Sequence, residues 1–153
     1  MSGIISPWNS VQNGNQGHPV RTLQWLLRAQ GRYVKVDGVF GPATEHAVKV
    51  FQSSVELSPV GIVTPQTWAA VVIQVKKGST GDAVRAAQEE FQFRNESGDP
   101  TKGVQVDGIF GSQTEAAVRG FQHALSLDVP SVTVDGIVGP ITWQALVSGM
   151  LSG

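Results

Sequence analysis

A mainly α-helical fold, built as two tandem small three-helix modules with Gly-rich Asp-Gly-x-x-Gly turns, is what this sequence of 153 residues predicts. Three observations lead there. The segment Val36-Asp37-Gly38-Val39-Phe40-Gly41 returns as Val106-Asp107-Gly108-Ile109-Phe110-Gly111, and eleven of nineteen residues agree between Lys35–Ser53 and Gln105–His123, well above chance. Apolar residues recur at helical spacing on both sides of each copy. No alternating stretch is long enough for a large sheet.

The repeat divides the chain into residues 1–74 and 75–153, units of roughly 70 residues each. Val11, Gly14, Gly17 and Val20 answer to Val75, Gly78, Gly81 and Val84. Each unit thus begins with the same Gly-marked turn. Val20, Leu23 and Leu27 then predict a first helix, as do Val84, Ala87 and Phe91. Val34–Val36 and Val104–Val106 are candidates for short extended pieces. Ala47, Val48 and Phe51, matched by Ala117, Val118 and Phe121, mark a second helix, which Pro42 can open in the first unit because proline suits the first helical position. A third, short helix follows Thr64-Pro65 and Gly139-Pro140, with Trp68 and Val71, or Trp143 and Leu146, on its apolar side. The repeat offset changes between the Gly-marked turn and the Asp-Gly turn. The extra residues fall at Asn95–Gly103, whose composition reads as a surface loop.

The Asp-Gly-x-x-Gly turn occurs again at Asp135–Gly139, whereas the fourth expected copy has decayed to Val60-Gly61-Ile62-Val63-Thr64. Glycine supplies positive φ, and the Asp carboxylate can accept backbone N–H bonds near a helix start. A structural role is therefore the favoured reading for Asp37, Asp107 and Asp135.

Composition limits function. With 11 basic and 12 acidic residues and a net charge of −1, the chain lacks the footprint of a nucleic-acid binder. No apolar run approaches the roughly 18 residues of a membrane span. Met1–Ser10 has neither the basic start nor the apolar stretch of a signal peptide, so either the chain starts after a removed leader or it reaches its target another way. Cysteine is absent, which excludes disulfides, thiolate nucleophiles and cysteine peptidases.

The ordered set Val-x-x-Leu-Gln, Asp-Gly-x-Phe-Gly-x-x-Thr, Ala-Val-x-x-Phe-Gln and Gly-Pro-x-Thr-Trp resembles the type 1 peptidoglycan-binding domain, twice over and across nearly the whole chain. The resemblance implies compact three-helix modules, usually appended to cell-wall hydrolases, that recognise bacterial peptidoglycan non-covalently. It also implies an extracytoplasmic or cell-wall location, a targeting or anchoring role, and a hydrolase or an assembly protein as a further partner. Val60 and Thr64 depart from the family pattern, which puts equal affinity of the two modules in doubt.

Reactive constellations are missing. His18, His46 and His123 have no histidine counterparts in the other repeat, and each is read as a lone surface histidine. No metal-ligand cluster, cofactor motif or nucleophile elbow occurs. Of the candidate acids Asp37, Glu45, Glu56, Asp107 and Glu115, Glu45 and Glu115 sit where acids meet a helix dipole favourably. The expected function is non-catalytic binding of peptidoglycan, with a protein-interaction or scaffold role in a phage-like or secretion assembly as the alternative.

Ligand contacts are expected around two loops: Gln24, Arg28, Tyr33, Asp37, Gly38 and Thr44 in the first module, and Gln88, Asp107, Gly108 and Thr114 in the second. For Gln24, Gln52, Gln88 and Gln122, amides that tie helices to loops are favoured over amides that face a ligand. Trp25, Phe93 and Arg94 are repeat-specific residues that can tune each site. Alanine at Tyr33, Arg28 and Gln24 is expected to weaken binding without lowering the melting temperature.

Overall fold

The computed structural model describes residues 3–94 and 104–152; the Asn95–Gly103 insertion lies outside the described residues. Six helices follow one another: α1 (His18–Ala29), α2 (Pro42–Ser54), α3 (Pro65–Val71), α4 (Asp82–Phe93), α5 (Ser112–Ser126) and α6 (Pro140–Val147). No strand is formed among the described residues. Val34–Val36 and Val104–Val106 lie outside any helix or strand. The β-type pairing falls instead on four isolated antiparallel bridges, Val11 with Val63, Gln16 with Val39, Val75 with Val138 and Thr80 with Ile109.

Local chemistry sets the helix ends. α2, α3 and α6 begin with proline, whose missing N–H is an orphan donor in the first turn anyway. α1 stops at Gly31 (φ 84°), where the N–H groups of Gly31 and Arg32 bond back to the carbonyls of Arg28 (2.9 Å) and Leu27 (2.8 Å). In α2 the same closure uses Glu56 in place of glycine (φ 62°), with Leu57 N–H donating to Gln52 O at 2.8 Å. Glu56 thus serves as a helix terminator.

One apolar core runs through both halves. Val20, Leu23, Leu26 and Leu27 of α1 join Val48 and Phe51 of α2, and Val84, Ala86, Ala87 and Phe91 of α4 join Val118 and Phe121 of α5. Trp68 and Trp143, both wholly buried, anchor the short helices. Buried indole needs a partner for its N–H. Trp68 Nε1 donates to Asn9 O (2.6 Å) and Trp143 Nε1 to Ile73 O (2.8 Å), equivalent carbonyls in the segments that lead into each module. Val75–Gly81 packs on the second module, with Gly78 N–H bonded to Phe110 O and Gly81 N–H to Gly108 O, both at 2.9 Å.

The two modules meet through their first helices, α1 running antiparallel to α4. α4 buries Ala83, Ala86 and Ala87, small side chains that permit close approach. Arg21 grips Glu89 with two hydrogen bonds of 2.8 Å, and Arg28 lies 3.4 Å from Asp82. At the centre Glu90, 1% exposed, accepts from Thr22 Oγ1 (2.6 Å) and Arg94 Nη1 (2.7 Å) and lies 3.2 Å from His18 Nδ1. The His18 ring stacks on Phe93 with centroids 4.3 Å apart. His18 is therefore not a lone surface histidine but part of the intermodule seam, where a buried carboxylate requires partners on every side.

Candidate functional site

Four turns repeat one device. In the turn after α1, the buried Gln24 amide donates to Asp37 Oδ1 (3.0 Å), Val39 O (3.2 Å) and Thr44 Oγ1 (3.1 Å), while its oxygen accepts from the N–H groups of Asp37 (3.0 Å) and Gly38 (2.9 Å). Gln88 does the same with Asp107, Gly108, Ile109 and Thr114, and Gln122 with Asp135, Gly136, Ile137 and Thr142. Gln52 keeps the bonds to Ile62 O, Thr67 Oγ1 and Gly61 N–H. One carboxamide per turn thus ties a helix to the loop that follows and to the threonine of the next helix.

Each Asp also folds back on its own turn. Asp37 Oδ1 accepts from Val39 N–H (3.0 Å), Asp107 Oδ1 from Ile109 N–H (2.9 Å) and Asp135 Oδ1 from Ile137 N–H (3.0 Å). The N–H of Val39, then the Gln24 amide, holds the Asp37 carboxyl below its ordinary range; Ile109 N–H and the Gln88 amide do likewise for Asp107. Gly38 and Gly108 take φ of 73° and 76° beneath arginine stems. A Cβ there would lie 3.1 Å from Arg21 Cγ or 2.8 Å from Arg85 Cζ, flexible side chains that can shift, so it is the positive φ that calls for glycine.

The predicted site residues separate by exposure. Gln24, Thr44, Gln88 and Thr114 are buried with their polar atoms committed to the turns, and Gly38 and Gly108 are buried too. These six shape the loops. The expectation that Gln24 could be removed without loss of stability is corrected, since its truncation would strand buried N–H and C=O groups. Tyr33, Asp37 and Asp107 are exposed, and Arg28 is half-buried, its guanidinium 5.6 Å from the Tyr33 ring centroid and bonded to Val34 O at 3.2 Å.

Beside Tyr33 lies a groove of about 440 Å³ with an apolar floor of Val34, Ala43, Ala47 and Val50 and a rim of Arg32, Lys35 and His46. A second hollow of about 230 Å³ over Asp37, Val39 and Pro42 shares Val34, Lys35 and Ala43 with it. The two hollows thus adjoin. Arg32 Nε is buried there without a hydrogen-bond partner among the described residues. Sequence reading missed Arg32, Lys35 and His46 as a group. The available signal was a basic run, Arg32 to Lys35, flanking the same turn as the His-bearing face of the second helix.

The candidate acids are dispersed. Glu45 and Glu115 lie in the first turns of α2 and α5, Asp37 and Asp107 in the turns, and Glu56 at the end of α2. Among the described residues no group of three or more His, Asp and Glu is placed to hold a metal ion. None of the described helices is long and apolar enough to cross a membrane.

A family model described as a peptidoglycan binding domain matches residues 16–71 and again 80–146. A Kitasatospora aureofaciens protein, itself uncharacterized, is 43% identical over 72 residues, 46% of this chain and 61% of its own length. The zinc D-Ala-D-Ala carboxypeptidase of Streptomyces albus G is 32% identical over 130 residues, which cover 84% of this chain and 44% of the carboxypeptidase. A crystal structure of a peptidoglycan-binding protein from Clostridioides difficile, in complex with glutamine hydroxamate, is 37% identical over 44% of this chain and 42% of that one, with a TM-score of 0.42. The chain spans less than two thirds of the length of these curated relatives. With its pattern matched twice, over turns and helices that recur in both halves, the chain belongs to the peptidoglycan binding domain family.

Proposed function

We propose that the chain is a non-catalytic wall-binding protein, residues 1–74 and 75–153 being its two binding units, that targets or anchors through contact with peptidoglycan. The observation that carries this reading is the depression beside Tyr33. Peptide stems of the wall bring carboxylates, amides and small alkyl side chains. A floor of Val34, Ala43, Ala47 and Val50 suits methyl groups, while Arg32, Lys35 and His46 supply positive charge and N–H donors for a carboxylate. Asp37 Oδ2, which has no hydrogen-bond partner among the described residues, is free to accept from a stem amide or amine. Arg28 and Tyr33 brace one end of the groove, and Asp107 offers the equivalent acceptor in the second module. Two sites on one polymer gain from effective concentration, by roughly 10²-fold or more when their spacing suits the ligand. Dispersed acids and the absence of a cysteine support a role without bond cleavage.

Pull-down of the full chain on purified sacculi tests the reading. Alanine at Arg32, Lys35 and Tyr33 together is expected to lower retention about tenfold, the equivalent of about 1.4 kcal/mol, with the melting temperature unchanged because these side chains are not in the core. Unchanged retention overturns the site. Release of soluble wall fragments by the wild-type chain, or capture of a protein partner in place of any sacculus, overturns the function.

A further inference from the structure

The depression at the first Asp-Gly turn has a counterpart that the alignment of one module on the other does not pick out. A constant shift of 98 residues, from Val34 to Val132 through Thr44 to Thr142, carries the eight residues lining the hollow over Asp37 onto residues lining a cleft of about 270 Å³ beside α6. The backbone device beneath is the same, Gln122 replacing Gln24 and Asp135 replacing Asp37. The chemistry at the surface is not. Lys35 becomes Thr133 and Ala43 becomes Ile141, while Ser131 and Gln74 add a hydroxyl and an amide. Ile141 is 59% exposed, which leaves an apolar edge open to solvent.

Among the described residues no cation lines this cleft, and Asp135 does, so an anionic ligand is disfavoured there. Asp135 Oδ1 is spent on Ile137 N–H and the Gln122 amide, whereas Oδ2 has no partner among the described residues. An open carboxylate oxygen, two hydroxyls and an amide beside exposed aliphatic surface match an uncharged N-acetylated sugar. Its ring hydroxyls can donate to the carboxylate, its acetamido group can pair with the amide and hydroxyls, and its methyl and ring face can rest on Ile137 and Ile141. We infer that this cleft is a saccharide site that takes the N-acetylated glycan strand, separate from the basic groove beside Tyr33. The inference rests on the peptidoglycan reading and deepens it. Gln74 comes from the segment joining the modules.

Titration of the full chain with chitotetraose, a peptide-free N-acetylglucosamine oligomer, followed by amide chemical shifts, tests it. The expected result is perturbation of Thr133 to Ile141 and a Kd raised about fivefold or more in the Ser131→Ala/Thr133→Val variant, as for one or two lost hydrogen bonds. Both side chains are exposed, so the variant should keep the wild-type melting temperature. Perturbation centred on the Tyr33 groove, no saturable binding, or a Kd unchanged in the variant overturns the saccharide site; if the wild type is still retained on sacculi, the wall-binding reading survives. Loss of sacculus retention by the wild type itself overturns both.

Discussion

The second and fourth turns, after α2 and α5, are built on equivalent frames and have diverged at two positions. In the fourth, Asp135 and Gly139 keep the pattern, and the Gln122 amide nitrogen has three acceptors within 3.1 Å. In the second, Val60 stands half-exposed where the acid would be, and Thr64 replaces the glycine. A carboxamide carries two N–H donors, so three acceptors around Gln122 are one more than it can fully serve. Gln52, with Ile62 O and Thr67 Oγ1, has two. The glutamine is thus the indispensable member and the aspartate a dispensable one, which is why the turn survives without it. Thr64 adds its own compensation by accepting from Thr67 N–H at 3.4 Å, a side-chain cap that the glycine-capped helices lack.

The largest expected effect comes from the glutamines. Gln122→Leu and Gln52→Leu should each destabilise by about 3 kcal/mol or more, because every buried N–H or carbonyl left unpaired costs about 1–3 kcal/mol. Urea unfolding measures this, and a loss below about 1 kcal/mol at either position would remove the amide from its central place. A smaller effect follows from restoring the acid. Val60→Asp should leave the fold intact and stabilise it by at most about 1 kcal/mol, the net value of a hydrogen bond to a turn whose amide is already satisfied. A larger gain would mean that the second turn is under-bonded as it stands.

The smallest effect is a change of slope in acid. Asp37 and Asp107 have folded pKa values below their unfolded ones, so their contribution is fully present above the unfolded value of about 3.9 and is lost as pH falls through the lowered folded values. Melting temperature measured from pH 6 downward should therefore fall less steeply in the Asp37→Asn/Asp107→Asn protein than in the wild type. Parallel curves would show that these carboxylates titrate alike in both states. The second turn, with valine at the same place, adds nothing to this slope.

Much of this was legible because the chain states its design twice. Helix positions, the tryptophan anchors and the turns all recur, and recurrence filters out incidental residues. The same filter hid the seam between modules. His18 corresponds to Asp82 and Glu90 to Leu26, so residues that tie α1 to α4 look like noise in a repeat alignment. A glutamate occupying the place of a wholly buried leucine was the one visible sign of a buried ionic contact. Burial of the predicted site residues was half-legible in the same way. Gln24 lies four residues after Val20, on the core side of its helix, and this spacing favoured an internal role over a ligand-facing one. The cleft beside α6 was less legible: the Asp135–Gly139 turn repeats the first, but Gln74 and Ser131 come from outside it.

The antiparallel pairing of α1 with α4 has a mechanical consequence. Helices fastened along their length by Arg21–Glu89, Thr22–Glu90 and Arg28–Asp82 give the molecule no hinge at its midpoint. Any two features on opposite halves are held at a span set by interlocked side chains, whatever the length of chain between them. On the proposed function such a body would act as a caliper: a lattice whose period agreed with its jaws would be held at both ends, and one with another period at one end only.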